Sequence, residues 1–450
     1  MTDITHIKNF YFVGIGGIGM SALARYFNAL KKEVSGYDKT PSEITKALQK
    51  EGIAVVFEDD VSLIDPNYKV DDTLVVYTPA IPVESSILNS FKEKGFQVIK
   101  RAALLGLVTK NTKCLAVAGT HGKTTTSAIL GHLLAYANEE VTAFLGGVSE
   151  NYNSNLIQNG TKVTVVEADE FDRSFLQLHP FIAGITSMDA DHLDIYGDEE
   201  TIVDAFKSFA NLVPKDGHLL HKKGLPLNGK TVGIEEDADF EAQNVRIKDG
   251  SYLFDFKTPH TTLYNLTLNL PGRHNLFNAS LALGMAVCLG SPTHILPEAL
   301  LNFKGVKRRF SYKIKTDDFV LIDDYAHHPE EINAVHQAVR EMYPNKKITV
   351  VFQPHLFSRT KDFVEGFAKS LSQFDSVLLL DIYPAREKPI EGITSSWLLE
   401  KIDNQHKNLI SKSEISGAIK KINAPVNVML GAGDIGEEVQ KVVSELEHEN

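Results

Sequence analysis

The chain has 450 residues, of which 43% are hydrophobic and 23% charged, and its net charge is −12. This composition is typical of globular proteins, and at about 150 residues per domain the length predicts about three domains. An acidic chain without a lysine- or arginine-dense run is atypical of nucleic-acid binding, and no apolar segment approaches the about 18 residues of a membrane span, so we expect neither a nucleic-acid partner nor membrane insertion.

The first part of the chain alternates short apolar segments with segments of helical periodicity. Strands are predicted at Ile7–Val13, Thr73–Tyr77 and Gln97–Ile99, and a helix is predicted at Ile18–Leu30. This alternation predicts a parallel sheet with crossover helices.

A glycine-rich turn follows the first predicted strand. It reads Gly14-Ile15-Gly16-Gly17-Ile18-Gly19 and matches G-x-G-x-x-G, and Asp38 lies near the position of an acidic ribose ligand. Glycines let backbone N–H groups approach a diphosphate, and a helix N-terminus favours negative charge. The pattern alone leaves open NAD(P), another diphosphate compound or a purely structural turn.

A second glycine-rich turn lies between a strand predicted at Leu115–Ala118 and a helix predicted from Lys123 to about Ala137. It lacks the first glycine of G-x-x-x-x-G-K-[ST], where Val117 stands. Its backbone N–H groups can still converge on phosphate oxygens. Lys123 would neutralise phosphate charge and Thr124 would offer its hydroxyl to Mg²⁺, so the turn predicts an ATP site.

Acidic side chains follow the next two predicted strands, Val163–Glu167 and Ile182–Thr186. Glu167 stands where a buried strand emerges, which suits a metal ligand with hard oxygens. His192 lies within Asp189-Ala190-Asp191-His192-Leu193-Asp194, and we interpret it as a second metal or phosphate contact.

The remainder of the chain predicts an insertion and a further sheet. Short β-type runs from about His218 to Leu270 predict an antiparallel insertion, and Asn275–Leu289 predicts a helix. The α/β rhythm then returns, and Gly431–Gly436 is interpreted mainly as a strand-to-helix turn. The domains are predicted at residues 1–109, 110–305 and 306–450. The strands of the third domain are predicted at Phe319–Asp323, Ile348–Phe352, Val377–Leu380 and Val426–Leu430.

Eight motifs in fixed order make the chain resemble the Mur ligase family. GIGGIGMSALA lies near the start, and GTHGKTT, EADEFDRSF, DADHLDIYG, PGRHNLFNA, KRRF, DDYAHHPEE and FQPHLFSRT follow between residues 119 and 360. The resemblance implies three α/β domains: a Rossmann-like UDP-sugar domain, a central P-loop-type mononucleotide-binding sheet with the antiparallel insertion, and a Rossmann-like amino-acid domain. It implies a ligase that joins L-alanine to the lactyl carboxylate of UDP-N-acetylmuramate in peptidoglycan precursor synthesis. The carboxylate would attack the γ-phosphate of ATP to form an acyl phosphate, with two Mg²⁺ ions assisting.

The resemblance also implies roles for individual residues. The UDP-sugar would be held by Gly14, Gly16, Gly17, Ile18, Gly19, Met20, Ser21, Asp38, Thr78, Pro79 and Ala80. ATP would be held by Gly119, Thr120, His121, Gly122, Lys123, Thr124, Thr125, His274, Asn275, Asn278, Arg309 and Asp324, with Asp323 as the alternative at the ribose. The amino acid would be bound by Tyr325, His327, His355 and Arg359, and the metals by Thr124, Glu167 and His192. The expected catalytic residues are Lys123, His192, His327 and Arg359, with His327 as the candidate base.

One departure and several alternatives remain open. Leu356 stands where many relatives carry arginine, so the carboxylate clamp would rest on Arg359 alone, or the loop would have another register. The alternatives are a sister ligase that attaches a preformed peptide, an NAD(P)-dependent oxidoreductase and a P-loop ATPase that forms no bond. Two widely separated cysteines, Cys114 and Cys288, and an N-terminus without a signal pattern favour the reducing cytoplasm.

Overall fold

The computed structural model describes residues 4–189, 199–248, 250–385 and 387–447. Its strands form three sheets, one in each of the three predicted domains. The chain forms two compact units. The first unit comprises Met1–Arg246, Leu253–Thr267 and Phe277–Lys304, and the second comprises Ile247–Tyr252, Leu268–Leu276 and Gly305–Asn450.

The first sheet has five parallel strands in the order β3-β2-β1-β4-β5. Its strands are β1 (Asn9–Val13), β2 (Glu33–Tyr37), β3 (Ala54–Val56), β4 (Thr73–Tyr77) and β5 (Gln97–Lys100). Helices at Ile18–Ala29, Glu43–Lys50, Ser86–Glu93 and Arg101–Thr109 and a 3₁₀ turn at Val61–Leu63 connect them. Apolar side chains on both faces of β1 are buried, which is typical of a parallel sheet covered on both sides. The strand order reverses between β1 and β4, where the turn after β1 lies, and such a switch point is where open α/β sheets bind ligands.

The second sheet has ten strands in the order β15-β14-β13-β12-β11-β10-β6-β9-β7-β8. The part that carries the phosphate loop comprises β6 (Lys113–Ala118), β7 (Val141–Ser149), β8 (Ser154–Gln158), β9 (Val163–Glu167) and β10 (Pro180–Ile185). The remaining strands are β11 (His218–Lys222), β12 (Lys230–Ile234), β13 (Phe240–Lys248), β14 (Ser251–Lys257) and β15 (Thr262–Leu268). Its helices are Lys123–Tyr136, Glu199–Ala210, Arg273–Leu289 and Leu296–Leu301, with a 3₁₀ helix at Phe171–Gln177.

The prediction of an antiparallel insertion from His218 to Leu270 is wrong for its first half. β11, β12 and β13 extend the main sheet, each pairing in parallel with its neighbour. Short loops can connect these parallel strands because each strand starts opposite the middle of the preceding one. Lys230, the first residue of β12, lies opposite Leu220 of β11, so the chain runs back along β11 by only two residue positions. The hydrophobic pattern does not reveal such a stagger. β14 begins three residues after β13 ends, a connection that only antiparallel strands permit.

The third sheet has six strands in the order β16-β17-β21-β18-β19-β20, with only β16 antiparallel. Its strands are β16 (Ser311–Lys315), β17 (Val320–Asp324), β18 (Ile348–Phe352), β19 (Ser376–Leu379), β20 (Lys407–Leu409) and β21 (Val426–Leu430). Its helices are Pro329–Met342, Phe357–Asp362, Val364–Leu371, Ser395–Lys401, Ile415–Ile422 and Ile435–Glu447, with a 3₁₀ turn at Lys412–Glu414. Two apolar clusters cover its faces, which confirms the predicted Rossmann-like sheet.

Within the described residues, no helix is both long and apolar enough to cross a bilayer.

Candidate active site

The turn between β6 and the helix Lys123–Tyr136 has the backbone of a phosphate-binding loop. Gly119 and Gly122 have φ angles of 134° and 82°, in the left-handed region that favours glycine. A Cβ atom on Gly122 would lie 2.4 Å from Oδ1 of Asn278. Close packing and backbone conformation therefore both require glycine here, although the first glycine of the usual motif is replaced by buried Val117.

The segment after β10 holds this loop in place. The His121 N–H donates to Oγ of Ser187 at 3.0 Å, and the hydroxyls of Thr120 and Ser187 lie 2.7 Å apart. The Thr186 hydroxyl donates to the His121 carbonyl. The residues that follow β10 thus hold the loop in this conformation.

Lys123 begins the helix and lies folded over its own loop. Its ammonium donates to the Gly119 carbonyl at 2.6 Å and to Oε1 of Glu170 at 2.8 Å. The two side chains are only 14% and 3% exposed, so this is a buried ion pair. Burial lowers the pKa of Lys123, but the carboxylates of Glu170 and Glu167 more than offset this, so its pKa lies above the ordinary value. Burial raises the pKa of the Glu170 carboxyl against the opposing charge of Lys123.

Thr124 and Glu167 lie together beside the loop. The Thr124 hydroxyl donates to both carboxylate oxygens of Glu167, at 2.9 and 3.1 Å, and the Gly146 N–H donates to Oε2 at 3.0 Å. A hydroxyl and a carboxylate at the start of a phosphate-binding helix are hard oxygen ligands, and this donor set fits Mg²⁺. The other expected ligand, His192, lies outside the described residues.

The residues expected on the adenine side belong to one helix, Arg273–Leu289. Asn278 is buried against Gly122, and the Asn275 amide donates to the Pro271 carbonyl at 2.7 Å. In the second unit, burial lowers the pKa of His274 to about 4, and the charge of Arg309 adds to this effect. His274 is therefore a neutral side chain at physiological pH.

The turn after β1 has the conformation expected of a diphosphate-binding turn. Gly14 has a φ of 88°. Oδ2 of Asp38 accepts the Gly16 N–H at 2.8 Å, and its Oδ1 accepts the Thr40 N–H at 3.1 Å. Both carboxylate oxygens of Asp38 thus accept backbone N–H groups, and these hydrogen bonds stabilise the conformation of the turn.

The other residues expected at the UDP-sugar differ in exposure. Gly17 is exposed and Ile18 and Gly19 are half-buried, whereas Met20 lies in the apolar core. The Ser21 hydroxyl is buried, donates to the Gly17 carbonyl at 3.0 Å and accepts from Nδ2 of Asn155 at 2.8 Å. The expected segment after β4 is open to solvent: Thr78 is half-buried, and Pro79 and Ala80 are exposed.

In the second unit, two arginines flank one tyrosine. The guanidinium groups of Arg308 and Arg309 lie 5.1 and 5.2 Å from the centre of the Tyr325 ring. Asp324 is buried at the end of β17 and accepts the N–H groups of Phe310 and Ala326 at 2.6 and 2.7 Å. Burial raises the pKa of Asp324 to about 6, although Arg309 acts in the opposite direction.

His327 has a hydrogen-bond arrangement suited to a base. Its Nδ1 lies 3.0 Å from the Tyr325 carbonyl, which can only accept, so Nδ1 carries the proton in the neutral ring. The lone pair is then on Nε2. Burial lowers the pKa of His327, against the nearby carboxylate of Glu331, and so favours the neutral form.

The loop after β18 brings together the expected amino-acid ligands. Nη1 of Arg359 lies 3.5 Å from Nδ1 of His355, and the His355 ring is stacked on Tyr383 at 5.7 Å between centres. The rings of His327 and His355 are 6.1 Å apart. Leu356 has a φ of 71°, and its side chain supplies no charge to this cluster. Arg359 is therefore the arginine that the motif FQPHLFSRT places beside His327 and His355.

Several residues of these clusters escaped the sequence analysis. Glu170 belongs to the acidic segment that follows β9, and its burial against Lys123 could not be inferred from its position in the sequence. Sequence motifs draw attention to glycines, lysines and histidines. Hydroxyl and carboxylate side chains that only hydrogen-bond to these residues have no recognisable pattern in the sequence. The residues missed in this way are Glu170, Ser187, Glu331 and Tyr383.

Comparison with known proteins agrees with this architecture. Models described as "Mur ligase family, catalytic domain", "Mur ligase middle domain" and "Mur ligase, glutamate ligase domain" match residues 9–113, 117–286 and 308–435. A UDP-N-acetylmuramate–L-alanine ligase from Christiangramia forsetii is 62% identical over 451 residues, covering 100% of both chains. The crystal structure of a UDP-N-acetylmuramate–alanine ligase from Thermotoga maritima matches with a TM-score of 0.83 and 27% identity, over 98% of this chain and 100% of that one.

A murein peptide ligase from Psychrobacter arcticus has a TM-score of 0.70 at 21% identity, over 98% of each chain, a likeness that concerns the fold alone. The family models, in contrast, match each of the three sheets, and the 62% identity extends over the whole chain. The chain belongs to the Mur ligase family.

Proposed function

We propose that this chain joins L-alanine to the lactyl carboxylate of UDP-N-acetylmuramate and converts ATP to ADP and phosphate. The observation that carries the proposal is the 62% identity, over the full length of both chains, with a UDP-N-acetylmuramate–L-alanine ligase. The buried lysine of the phosphate loop and the carboxylate beside its threonine supply what such a reaction needs. Because ATP and UDP-linked precursors are cytoplasmic compounds, the reaction belongs in the cytoplasm.

The first step activates the acid, because a carboxylate and an amine do not condense in water. The carboxylate attacks the γ-phosphorus of ATP, and the bond between this phosphorus and the β,γ-bridging oxygen breaks. ADP departs, and the acid is now an acyl phosphate. The Gly119–Thr125 loop holds the phosphates through backbone N–H groups. Lys123 shifts from Glu170 towards the transferring group and offsets its charge.

Magnesium fits the oxygens beside the loop. Thr124 and Glu167 would hold one ion, and His192 would be the ligand of a second ion. When bound, Mg²⁺ neutralises charge on the phosphate oxygens. The Gly146 N–H donates to Oε2 of Glu167 and so orients this carboxylate for metal binding.

The second step forms the amide. The amine of L-alanine attacks the acyl carbon, a tetrahedral oxyanion forms, and phosphate leaves with the electron pair of the broken C–O bond. Nε2 of His327 accepts a proton from the attacking amine, since Nδ1–H is held by the Tyr325 carbonyl. Arg359, which lies beside His355, binds the alanine carboxylate.

Substrate selection is the experiment that tests this function. Phosphate release and product mass would be measured with UDP-N-acetylmuramate, ATP and, in turn, L-alanine, glycine, L-serine and a tripeptide that begins with L-alanine. We expect the highest kcat/KM for L-alanine and a product heavier by one alanine residue. A preference for the tripeptide would instead identify a peptide-adding ligase, and phosphate release independent of any amine would identify an ATPase.

A further inference from the structure

The Arg101 side chain lies on the glycine-rich turn of the first sheet. It begins the helix Arg101–Thr109 directly after β5, at the same sheet edge as the turn after β1. A Cβ atom on Gly19 would lie 2.6 Å from Nη1 of Arg101 and 3.2 Å from its Cδ. The third glycine of G-x-G-x-x-G therefore leaves the space that the guanidinium occupies.

The same guanidinium contacts the acidic segment next to the phosphate loop. Its Nη2 donates to Oδ2 of Asp169 at 3.4 Å, and Oδ1 of Asp169 accepts the Phe171 N–H at 3.1 Å. Asp169 precedes Glu170, whose carboxylate binds Lys123. One arginine of the first unit thus lies between the UDP-sugar turn and the residues that organise the ATP turn.

Charge explains why a cation is needed at this turn. Residues 14–21 contain no charged side chain, and Asp38 adds a negative charge beside Gly16. The backbone N–H groups and the helix N-terminus of the turn supply partial positive charge only, so a dianionic or trianionic ligand would meet this carboxylate without a full positive charge from the turn itself. Arg101 is 24% exposed, and of its five N–H donors Asp169 engages one among the described residues. Donors and charge are therefore available to an oxyanion.

We propose that Arg101 binds an oxyanion of the UDP-linked acid, and that Asp169 holds the guanidinium in position. The proposal rests on the proposed function. A guanidinium recognises the diphosphate and a carboxylate by the same two-pronged hydrogen bonding, so either group can be the one bound. Because Arg101 binds the acid substrate next to Asp169, it determines the position of the substrate relative to the Lys123 loop. It is a further binding and positioning residue for the first step.

Calorimetric titration without ATP tests the proposal, with UDP-N-acetylmuramate and UDP as separate ligands. Arg101→Gln should weaken UDP-N-acetylmuramate at least about 10-fold, as expected for a lost charged hydrogen bond. Arg101→Lys should retain part of the affinity, because it keeps the charge and loses the fork. The matched control is Arg340→Gln in the second unit, where an arginine of similar exposure (34%) pairs with Asp375 at 3.0 Å. This control should change neither affinity more than 2-fold.

The two ligands identify which oxyanion is bound. Equal loss for UDP and UDP-N-acetylmuramate assigns Arg101 to the diphosphate, and loss for UDP-N-acetylmuramate alone assigns it to the carboxylate. If Arg101→Gln binds both ligands as tightly as the control, the proposal is overturned while the proposed function stands. If the unaltered protein does not bind UDP-N-acetylmuramate, the proposed function itself fails. Should Arg101→Gln not fold, Arg101→Lys carries the test, with a loss of at least about 3-fold expected and unchanged affinity refuting it.

Discussion

Replacing Lys123 by alanine should destabilise the protein as well as disable the phosphate loop. The ammonium pairs with a carboxylate that is only 3% exposed, so Lys123→Ala removes the positive charge of Lys123 from beside the buried Glu170. Breaking a buried ion pair from one side costs about 3–5 kcal/mol. Because the lysine side chain retains 14% exposure, we expect the lower end, about 3 kcal/mol of unfolding free energy. The double variant Lys123→Ala/Glu170→Gln also removes the buried negative charge and should recover at least about half of this loss.

The stability loss should also depend on pH, with a defined sign. In Lys123→Ala, burial raises the pKa of Glu170 above its ordinary 4.5 without opposition from the lysine. The folded state then binds a proton more tightly than the unfolded state. The stability from this group is therefore present below about pH 4.5 and is lost as the pH rises through the folded-state pKa. Lys123→Ala should thus be weakened more at pH 8 than at pH 5, whereas the double variant should show no such trend.

Urea unfolding followed by circular dichroism, without nucleotide, at pH 5, 6.5 and 8 measures both effects. The unaltered protein and the two variants are compared at each pH. A loss below about 1 kcal/mol for Lys123→Ala, or a loss that Glu170→Gln does not reduce, would refute the buried-pair reasoning. Both variants should lack turnover, because the loop cation is absent from each of them.

Three further predictions concern the two units separately. Gly122→Ala should weaken ATP binding at least 10-fold, because the left-handed φ costs about 1–2 kcal/mol and the new methyl group meets Asn278. The control Gly52→Ala, with a φ of 85° and open space around it, should lower thermal stability by the backbone cost and leave the ATP affinity unchanged. Equal ATP affinities of the two variants would contradict the packing argument. Arg359→Ala should raise the KM for L-alanine at least 10-fold and that for ATP less than 3-fold, and similar increases in initial-rate assays would argue against a carboxylate clamp. His327→Gln should lower kcat about 100-fold or more, and in the unaltered enzyme kcat/KM should fall on the acid side through a pKa below 6.5; an acid limb that is unchanged in the variant would exclude His327 as the base.

The order of the elements was readable from the sequence because parallel strands and crossover helices leave a strong periodic signal. The apolar run Leu115–Ala118 followed by Gly119 predicted a strand and a glycine turn, and the structure has a strand at Lys113–Ala118 and positive φ angles at Gly119 and Gly122. The parallel pairing of β11 to β13 was not readable, since it depends on a stagger between neighbouring strands. Hydrophobic patterning encodes which residues are buried and carries no information on that register.

The position of a candidate site residue in the fold could be predicted where the local sequence pattern alone determines it. Lys123 and Thr124 follow a glycine turn, and the helix geometry alone directs them to the loop. Glu170 and Arg101 were not predictable, because their roles depend on contacts 47 and 68 residues away along the chain. For Asp38, the spacing suggests a ribose ligand but gives no sign of the contacts that the structure shows, in which its carboxylate oxygens accept the Gly16 and Thr40 N–H groups.

Transfer of oxygen from the acid to phosphate tests the central claim most directly. UDP-N-acetylmuramate labelled with ¹⁸O in the lactyl carboxylate would be converted with ATP and L-alanine, and the released phosphate analysed by mass spectrometry. If the carboxylate attacks the γ-phosphorus, each phosphate released in forming the amide carries one oxygen from the acid. Amide formation with unlabelled phosphate would contradict the account, because the acid would then never have been phosphorylated.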